Sequence, residues 1–97
     1  LLEQRCAVVA NGFFEWRKNG AHKDKFYIRK QGCELIYFAA LYNSAHEFVI
    51  VTGESQKEMA RIHERTPLLM EERTMRAYLE KRRGFTVDNE DLMIEKE

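Results

Sequence analysis

Up to residue 52 the apolar residues come only in short runs, and turn residues interrupt them at close intervals. That pattern excludes long amphipathic helices and points to short antiparallel strands. Cys6–Ala10 is the first candidate. Phe13–Arg17 follows it after Asn11-Gly12, a dipeptide suited to positive φ. Arg17–Asp24 is polar and holds Gly20, so it reads as a loop. Lys25–Arg29 is a third strand, Lys30–Glu34 a hairpin connection, and Leu35–Leu41 a fourth strand. After a turn at Tyr42–His46 comes the strand Glu47–Thr52. The expected sheet is an antiparallel meander or a partly closed barrel.

Beyond residue 52 the period changes. Ser55 and Glu58 have the spacing of a capping box, with Met59 and Ile62 as the apolar stripe of a helix. That helix must end near Thr66, because a residue before proline is pushed out of the α region. Pro67–Met70 is then extended. A second helix is expected over Glu71–Arg83, with acids in its first turn, Lys81-Arg82-Arg83 in its last and Gly84 after it. Met75, Tyr78 and Leu79 form its inward face. Phe85-Thr86-Val87 is a weak final strand. The expected fold class is α+β, mainly antiparallel, with two flanking helices.

Ninety-seven residues suit one small domain, which buries about 60–65% of its unfolded surface. The longest apolar stretch is far short of the roughly 20 residues that span a bilayer, so no membrane association is expected. Cys6 and Cys33 match no zinc motif or disulfide framework and read as small buried hydrophobes in a reducing, cytoplasmic protein. Three scattered histidines argue against a metal site, and no cofactor is expected. The net charge is zero but uneven. Residues 88–97 hold five acids against Lys96, a balance of −4, which leaves +4 on residues 1–87. The domain is therefore placed at 1–87, with 88–97 an acidic tail, either solvated or lying across a basic surface.

Two segments carry side chains suited to chemistry. Alternation puts Phe13 and Glu15 on one strand face and Phe14 and Trp16 on the other. A carboxyl group seated among apolar neighbours suits general-acid work; it equally suits a half-exposed glutamate paired with a lysine or arginine. His63 follows Ile62 in the expected last helical turn, where a cation is favoured. It is either an acid or anion stabiliser, or a satisfied, partly buried histidine. Arg65, before Pro67, either caps helix carbonyls or reaches a phosphate. Trp16 is either core or a stacking platform for bases.

Together these segments resemble the SOS response-associated peptidase (SRAP) family. The family's strand motif, approximately R-C-[LV]-x-P-A-x-G-F-Y-E-W, is followed by Arg5 to Trp16, with Val9 at the proline and Phe14 at the tyrosine. Its second motif, H-x-R-M-P, appears as His63-Glu64-Arg65-Thr66-Pro67. Phe38–Leu41 is similar to its F-A-G-L-W strand and Val49–Thr52 to its I-x-T-T strand. The resemblance runs from about Arg5 to Gly84. It implies a DNA-damage-response protein that traps abasic sites in single-stranded DNA. In this family an N-terminal cysteine closes a thiazolidine on the sugar aldehyde, and the enzyme has peptidase-like autoprocessing. It further implies catalytic roles for Glu15 and His63, DNA binding by Trp16 and Arg65, and a monomer when intact.

The sequence departs from the family at its nucleophile. Leu1 stands where the family has its cysteine. Cys6 and Cys33 cannot replace it, because their nitrogens are amides and form no imine. The family's asparagine-arginine segment also has no match. The expectation is that roughly the first half of the family domain is missing, that the chain alone is inactive, and that it exposes unpaired sheet edges. The alternatives are a non-catalytic module binding single-stranded DNA, or an inactive remnant.

Overall fold

The computed structural model describes residues 4–81 and 87–97. Nine strands, one α-helix and a short 3-10 helix follow in chain order among them. The strands are β1 (Gln4–Ala10), β2 (Phe13–Asn19), β3 (His22–Lys30), β4 (Ile36–Tyr42), β5 (Phe48–Ile50), β6 (Thr52–Glu54), β7 (Arg65–Pro67), β8 (Leu69–Met70) and β9 (Leu92–Lys96). The 3-10 helix is Lys57–Arg61 and helix α1 is Glu72–Leu79. The α+β, mainly antiparallel expectation therefore holds. No described helix is long and apolar enough to cross a membrane.

The strands form three separate antiparallel sheets, not a meander closing toward a barrel. β4 is the centre of the first, paired with β1 on one edge and with β5 and β8 on the other. β3 is the centre of the second, between β2 and β9. β6 and β7 make a small third sheet. Asn11-Gly12 is the corner where the chain leaves the β1–β4 sheet for the β2–β3 sheet. Gly12 does not have positive φ. It is needed for close approach: a Cβ there would lie 2.5 Å from the Tyr27 hydroxyl and 2.6 Å from the Ile28 carbonyl oxygen. Gly12→Ala should cost about 1–3 kcal/mol by overpacking, read as a lower urea midpoint.

Several other expectations are corrected. The polar stretch Arg17–Asp24 is no loop. β2 and β3 run through it to a two-residue turn at Gly20-Ala21, where Gly20 has φ 63°. Lys30–Glu34 joins strands of different sheets, so it is no hairpin connection. The capping box does not form. Ser55 is buried, and its hydroxyl is hydrogen-bonded to that of Thr66 instead of a helix N–H. Without that cap the first expected helix shrinks to the 3-10 turn. The second helix is shorter than expected: Glu80 caps it and Lys81 takes the left-handed position, φ 59°. Tyr78 and Met75 face inward, but Leu79 is exposed. Arg82, Arg83, Gly84, Phe85 and Thr86 lie outside the described residues. Cys6 is half-buried and Cys33 exposed, so only the first resembles a small core residue.

The acidic end is not simply solvated. Its apolar residues Leu92 and Ile94 pack against the core, and β9 completes the β2–β3 sheet. Buried Lys30 anchors the approach, its Nζ donating to Asp88 Oδ1 at 2.9 Å and to the Glu90 carbonyl at 2.6 Å. Glu71 faces the same carboxylate. A hydrogen bond with Asp88 and the charge of Asp88 hold the Glu71 carboxyl above the usual range. Asp88 Oδ2 is buried and has no hydrogen-bond partner among the described residues. Along the outer face, Glu95 meets Arg29 at 3.4 Å.

The core lies between the sheets. Phe26, Ile28, Met59 and Ile62 form one part, joined by Phe13, Leu92 and Ile94. Ile36, Phe38 and Leu69 form another, which Phe13 and Leu92 also touch. A third part, Ala39, Met70 and Tyr78, sits under α1. Tyr78 donates its hydroxyl to the Ala40 carbonyl at 2.7 Å, fixing the helix on β4. Among the described residues β1 pairs only with β4 and β2 only with β3.

Candidate functional site

Phe13 sets the direction of β2. Its ring meets Phe38 edge-on, with centroids 5.6 Å apart, so it points inward between the Phe26 and Phe38 core clusters. Alternation then turns Glu15 inward and leaves Phe14 and Trp16 outward, which keeps the face pairing the sequence predicts and settles which face is inward. Glu15 lies opposite Phe26 in the register, where the core opens toward the edge of β2. Its carboxylate has no hydrogen-bond or ion-pair partner among the described residues, so the reading as a paired structural glutamate finds no support.

The second segment arrives from the β6–β7 connection. Met59 and Ile62 are buried against Phe26 and Ile28. The next residue, His63, is thereby delivered to the rim of the core opposite β2. Its backbone N–H donates to the Met59 carbonyl at 3.0 Å. The ring does not sit in a helix's last turn, because the 3-10 helix ends at Arg61, so no helix dipole acts on it. It is exposed, and Arg65 holds it in place. Nδ1 lies 3.1 Å from the Arg65 carbonyl oxygen and 3.3 Å from the Arg65 backbone nitrogen. With a proton on Nδ1 the ring donates to the carbonyl; without one it accepts from the N–H. Either state has a backbone partner, so the ring can exchange a proton without swinging away. Nε2 has no hydrogen-bond partner among the described residues.

The two segments meet. Glu15, Trp16, Lys18, Lys23, Ile62, His63 and Glu64 line one open cavity of about 650 Å³. Two carboxylates, an imidazole and two ammonium groups thus border a common space, with Ile62 as its aliphatic member. Such a set can move protons and hold an anion. Neither cysteine lines it. Cys6 instead lines a separate apolar groove beside Val9, Phe48 and Leu79. Among the described residues no cluster of His, Cys, Asp or Glu could hold a metal ion.

Arg65 does not join that cavity. Its Nε donates to the Thr52 hydroxyl at 2.9 Å and its Nη2 to the Thr52 carbonyl at 2.6 Å. It lines a neighbouring hollow with Glu54, Ser55 and Glu64. Of its two expected roles, carbonyl capping is the one its contacts show, although the carbonyl belongs to a strand. Lys18 and Lys23 were hidden in the stretch that reads as a loop. The signal was available in the spacing. With the turn placed at Gly20, Lys18 shares a face with Trp16, and Lys23 stands directly opposite Lys18. Like charges in that position repel, and neither lysine makes an ion pair among the described residues, although Glu15 and Glu64 line the same cavity.

The surrounding charge divides by face. Asp24, pointing inward, accepts from Arg17 at 3.4 Å and Asn19 at 3.2 Å, with Lys96 3.7 Å away. Burial works to raise the Asp24 carboxyl, but these partners outweigh it and hold it below the ordinary value. Arg17 is therefore engaged, and its guanidinium also stacks on Phe26 at 5.1 Å. Outward, the Lys25 ammonium lies 4.3 Å above the Phe14 ring and 5.7 Å from the Trp16 ring. Each cation–π contact is worth about 0.5–1 kcal/mol at an exposed site.

Comparison with known proteins gives a consistent result. The family model described as SOS response associated peptidase (SRAP) matches residues 1–96. Abasic site processing protein YMR114C of Saccharomyces cerevisiae is 31% identical over 74 residues, covering 71% of this chain and 20% of the yeast protein. Abasic site processing protein YedK of Escherichia coli is 30% identical over 82 residues, covering 77% of this chain and 37% of the relative. A crystal structure of a Bacteroides thetaiotaomicron protein superposes with a TM-score of 0.78 at 21% identity, over 98% of this chain and 50% of that one. The chain thus spans well under half of these two curated relatives.

Proposed function

This chain belongs to the SOS response associated peptidase family, and from that premise we propose that its Glu15–His63 cavity receives an abasic site in single-stranded DNA. The observation that carries the reading is the meeting of Glu15 and His63 in one cavity, although 48 positions separate them in sequence. The names of the relatives, which process abasic sites, point the same way.

The proposed chemistry is covalent trapping by the α-amine and thiol of an N-terminal cysteine, a group that these residues do not supply to the cavity. The amine adds to the C1′ aldehyde of the opened sugar, and water leaves to give an imine. The thiol sulfur then adds to the imine carbon, its proton passes to nitrogen, and a thiazolidine closes. An α-amine with a pKa of about 7.7–8 is partly neutral at pH 7 and so can begin the sequence. Glu15 supplies and takes the protons of ring opening and dehydration. His63, held by Arg65 in either protonation state, assists the same transfers or their reversal. Trp16 borders the DNA, and Arg65 braces the segment that carries His63.

The test uses oligonucleotides of single-stranded DNA with and without an abasic site. The 97-residue chain should bind the abasic strand more tightly, and should form no adduct that survives denaturation. A stable adduct formed by this chain alone would overturn the assignment of the nucleophile. Equal binding of abasic and intact strands would remove the cavity from abasic-site recognition. A binding module without chemistry is the second reading, favoured by Lys18, Lys23 and Trp16, which border the cavity. It requires that Glu15→Gln leave the crosslinking of an intact family member unchanged.

A further inference from the structure

From Cys6 to Ala10, β1 holds no charge, proline or glycine. A continuous apolar run belongs to a strand buried on both faces inside a sheet. Yet among the described residues β1 has a partner on one side only, β4. Every second residue of β1 turns its N–H and C=O away from β4. The usual guards of an edge strand are a lysine, a proline or a bulge. β1 has none of them, and its register with β4 runs unbroken from Gln4 to Ala10. The edge is also lined on both faces. Register and alternation put Cys6, Tyr42 and Phe48 on one face, and Val9 and Tyr37 on the other beside Leu79 of α1. All six border one open groove of about 720 Å³, which therefore runs around the edge of β1. Val9 is 54%, Phe48 60% and Leu79 42% exposed. The shape and chemistry call for an extended strand with apolar side chains on both of its faces.

We infer that the occupant is β1 of a second copy of this chain, paired antiparallel across a twofold axis. β1 is itself the kind of strand that the groove demands. A surface that is both site and ligand closes as an isologous dimer. Centred on Ala7, the pairing sets Gln4 against Ala10, Arg5 against Val9 and Cys6 against Val8 of the second copy. The charges permit it. Arg5, the only charge on β1, stands opposite an apolar residue and not opposite itself. Its guanidinium is engaged within its own chain, donating to the Tyr78 carbonyl at 3.0 Å and lying 4.8 Å from the Tyr78 ring centroid. A net charge of zero leaves no long-range repulsion between copies. Length decides against the competing edge. β5 is also apolar and pairs only with β4 among the described residues, but it offers three residues against the seven of β1. The dimer joins two sheets centred on β4 into one. The Glu15–His63 cavity lies on the other sheet, so the dimer is independent of how that cavity is read.

Sedimentation of the 97-residue chain from about 1 µM to about 1 mM should show a monomer passing to a dimer and going no further. Hydrogen exchange should slow at alternate amides of β1 as the dimer fills, and stay unchanged in β3, which is already central in its sheet. Val9→Lys places a lysine opposite Arg5 of the second copy, twice per dimer. It should raise the dissociation constant about 10-fold or more. Phe48→Gln acts on the opposite face and should weaken the dimer to a similar extent. Both positions are exposed in the single chain, and circular dichroism checks that each variant folds. A parent chain that stays monomeric over the whole range overturns the inference. Association that continues past the dimer also overturns it, in favour of head-to-tail pairing of β1 with β5. A dimer that neither substitution weakens, or that leaves the β1 amides unprotected, puts the contact elsewhere and overturns it equally.

Discussion

Glu15→Gln is expected to slow abasic-site crosslinking by about 10²–10⁴-fold in a protein that carries both these residues and an N-terminal cysteine. Glutamine keeps the size and hydrogen-bonding capacity of the side chain but cannot exchange a proton at neutral pH. Because Glu15 makes no hydrogen bond or ion pair within the described chain, the substitution breaks no contact there. The sheet should stay intact, and affinity for an abasic strand should stay close to that of the parent. Single-turnover crosslinking with separate measurement of binding distinguishes the two effects. A rate like that of the parent would remove Glu15 from the proton transfers, and a loss confined to affinity would make it a binding residue.

Ile28→Ala should cost about 2–5 kcal/mol of stability. Ile28 is fully buried at the middle of β3, the central strand of its sheet. It pairs with Phe13 on one side and Ile94 on the other, and packs with Met59 and Ile62 from the segment that carries His63. No neighbour can collapse into the space, because each is fixed by a strand pairing or by the 3-10 turn. Against a domain stability of about 5–15 kcal/mol, that is a large fraction. Urea unfolding should show a lower midpoint with an unchanged slope. The same cavity would loosen both walls of the site, so abasic-strand affinity should fall with it. Retained stability would mean that the two sheets do not share the core described here.

The elements that depend on local pattern were legible. β1 to β5 fall on the apolar runs, and Pro67 marks an extended segment, because alternation and proline geometry act within a few residues. The second helix was legible in its start and its Tyr78 face. The elements that failed depended on partners distant in sequence. Ser55 had the spacing of a cap, but Thr66 offered its hydroxyl a closer partner. The acidic end looked solvated because charge dominates its composition. Leu92 and Ile94 nonetheless found core positions, and Lys30 found Asp88.

For the site, the sequence was enough to pick out side chains suited to chemistry and to put Glu15 on the face of Phe13, away from Phe14 and Trp16. Alternation along a strand is a property of the backbone and needs no partner. The shared cavity of Glu15 and His63, the place of Lys18 and Lys23 on its border, and the turn of Arg65 toward Thr52 came from long-range packing. Those outcomes follow from the corner at Gly12, which moves β2 to its own sheet, and from Met59 and Ile62 docking on that sheet. Both depend on shape matching between surfaces far apart in the chain, which no local pattern encodes.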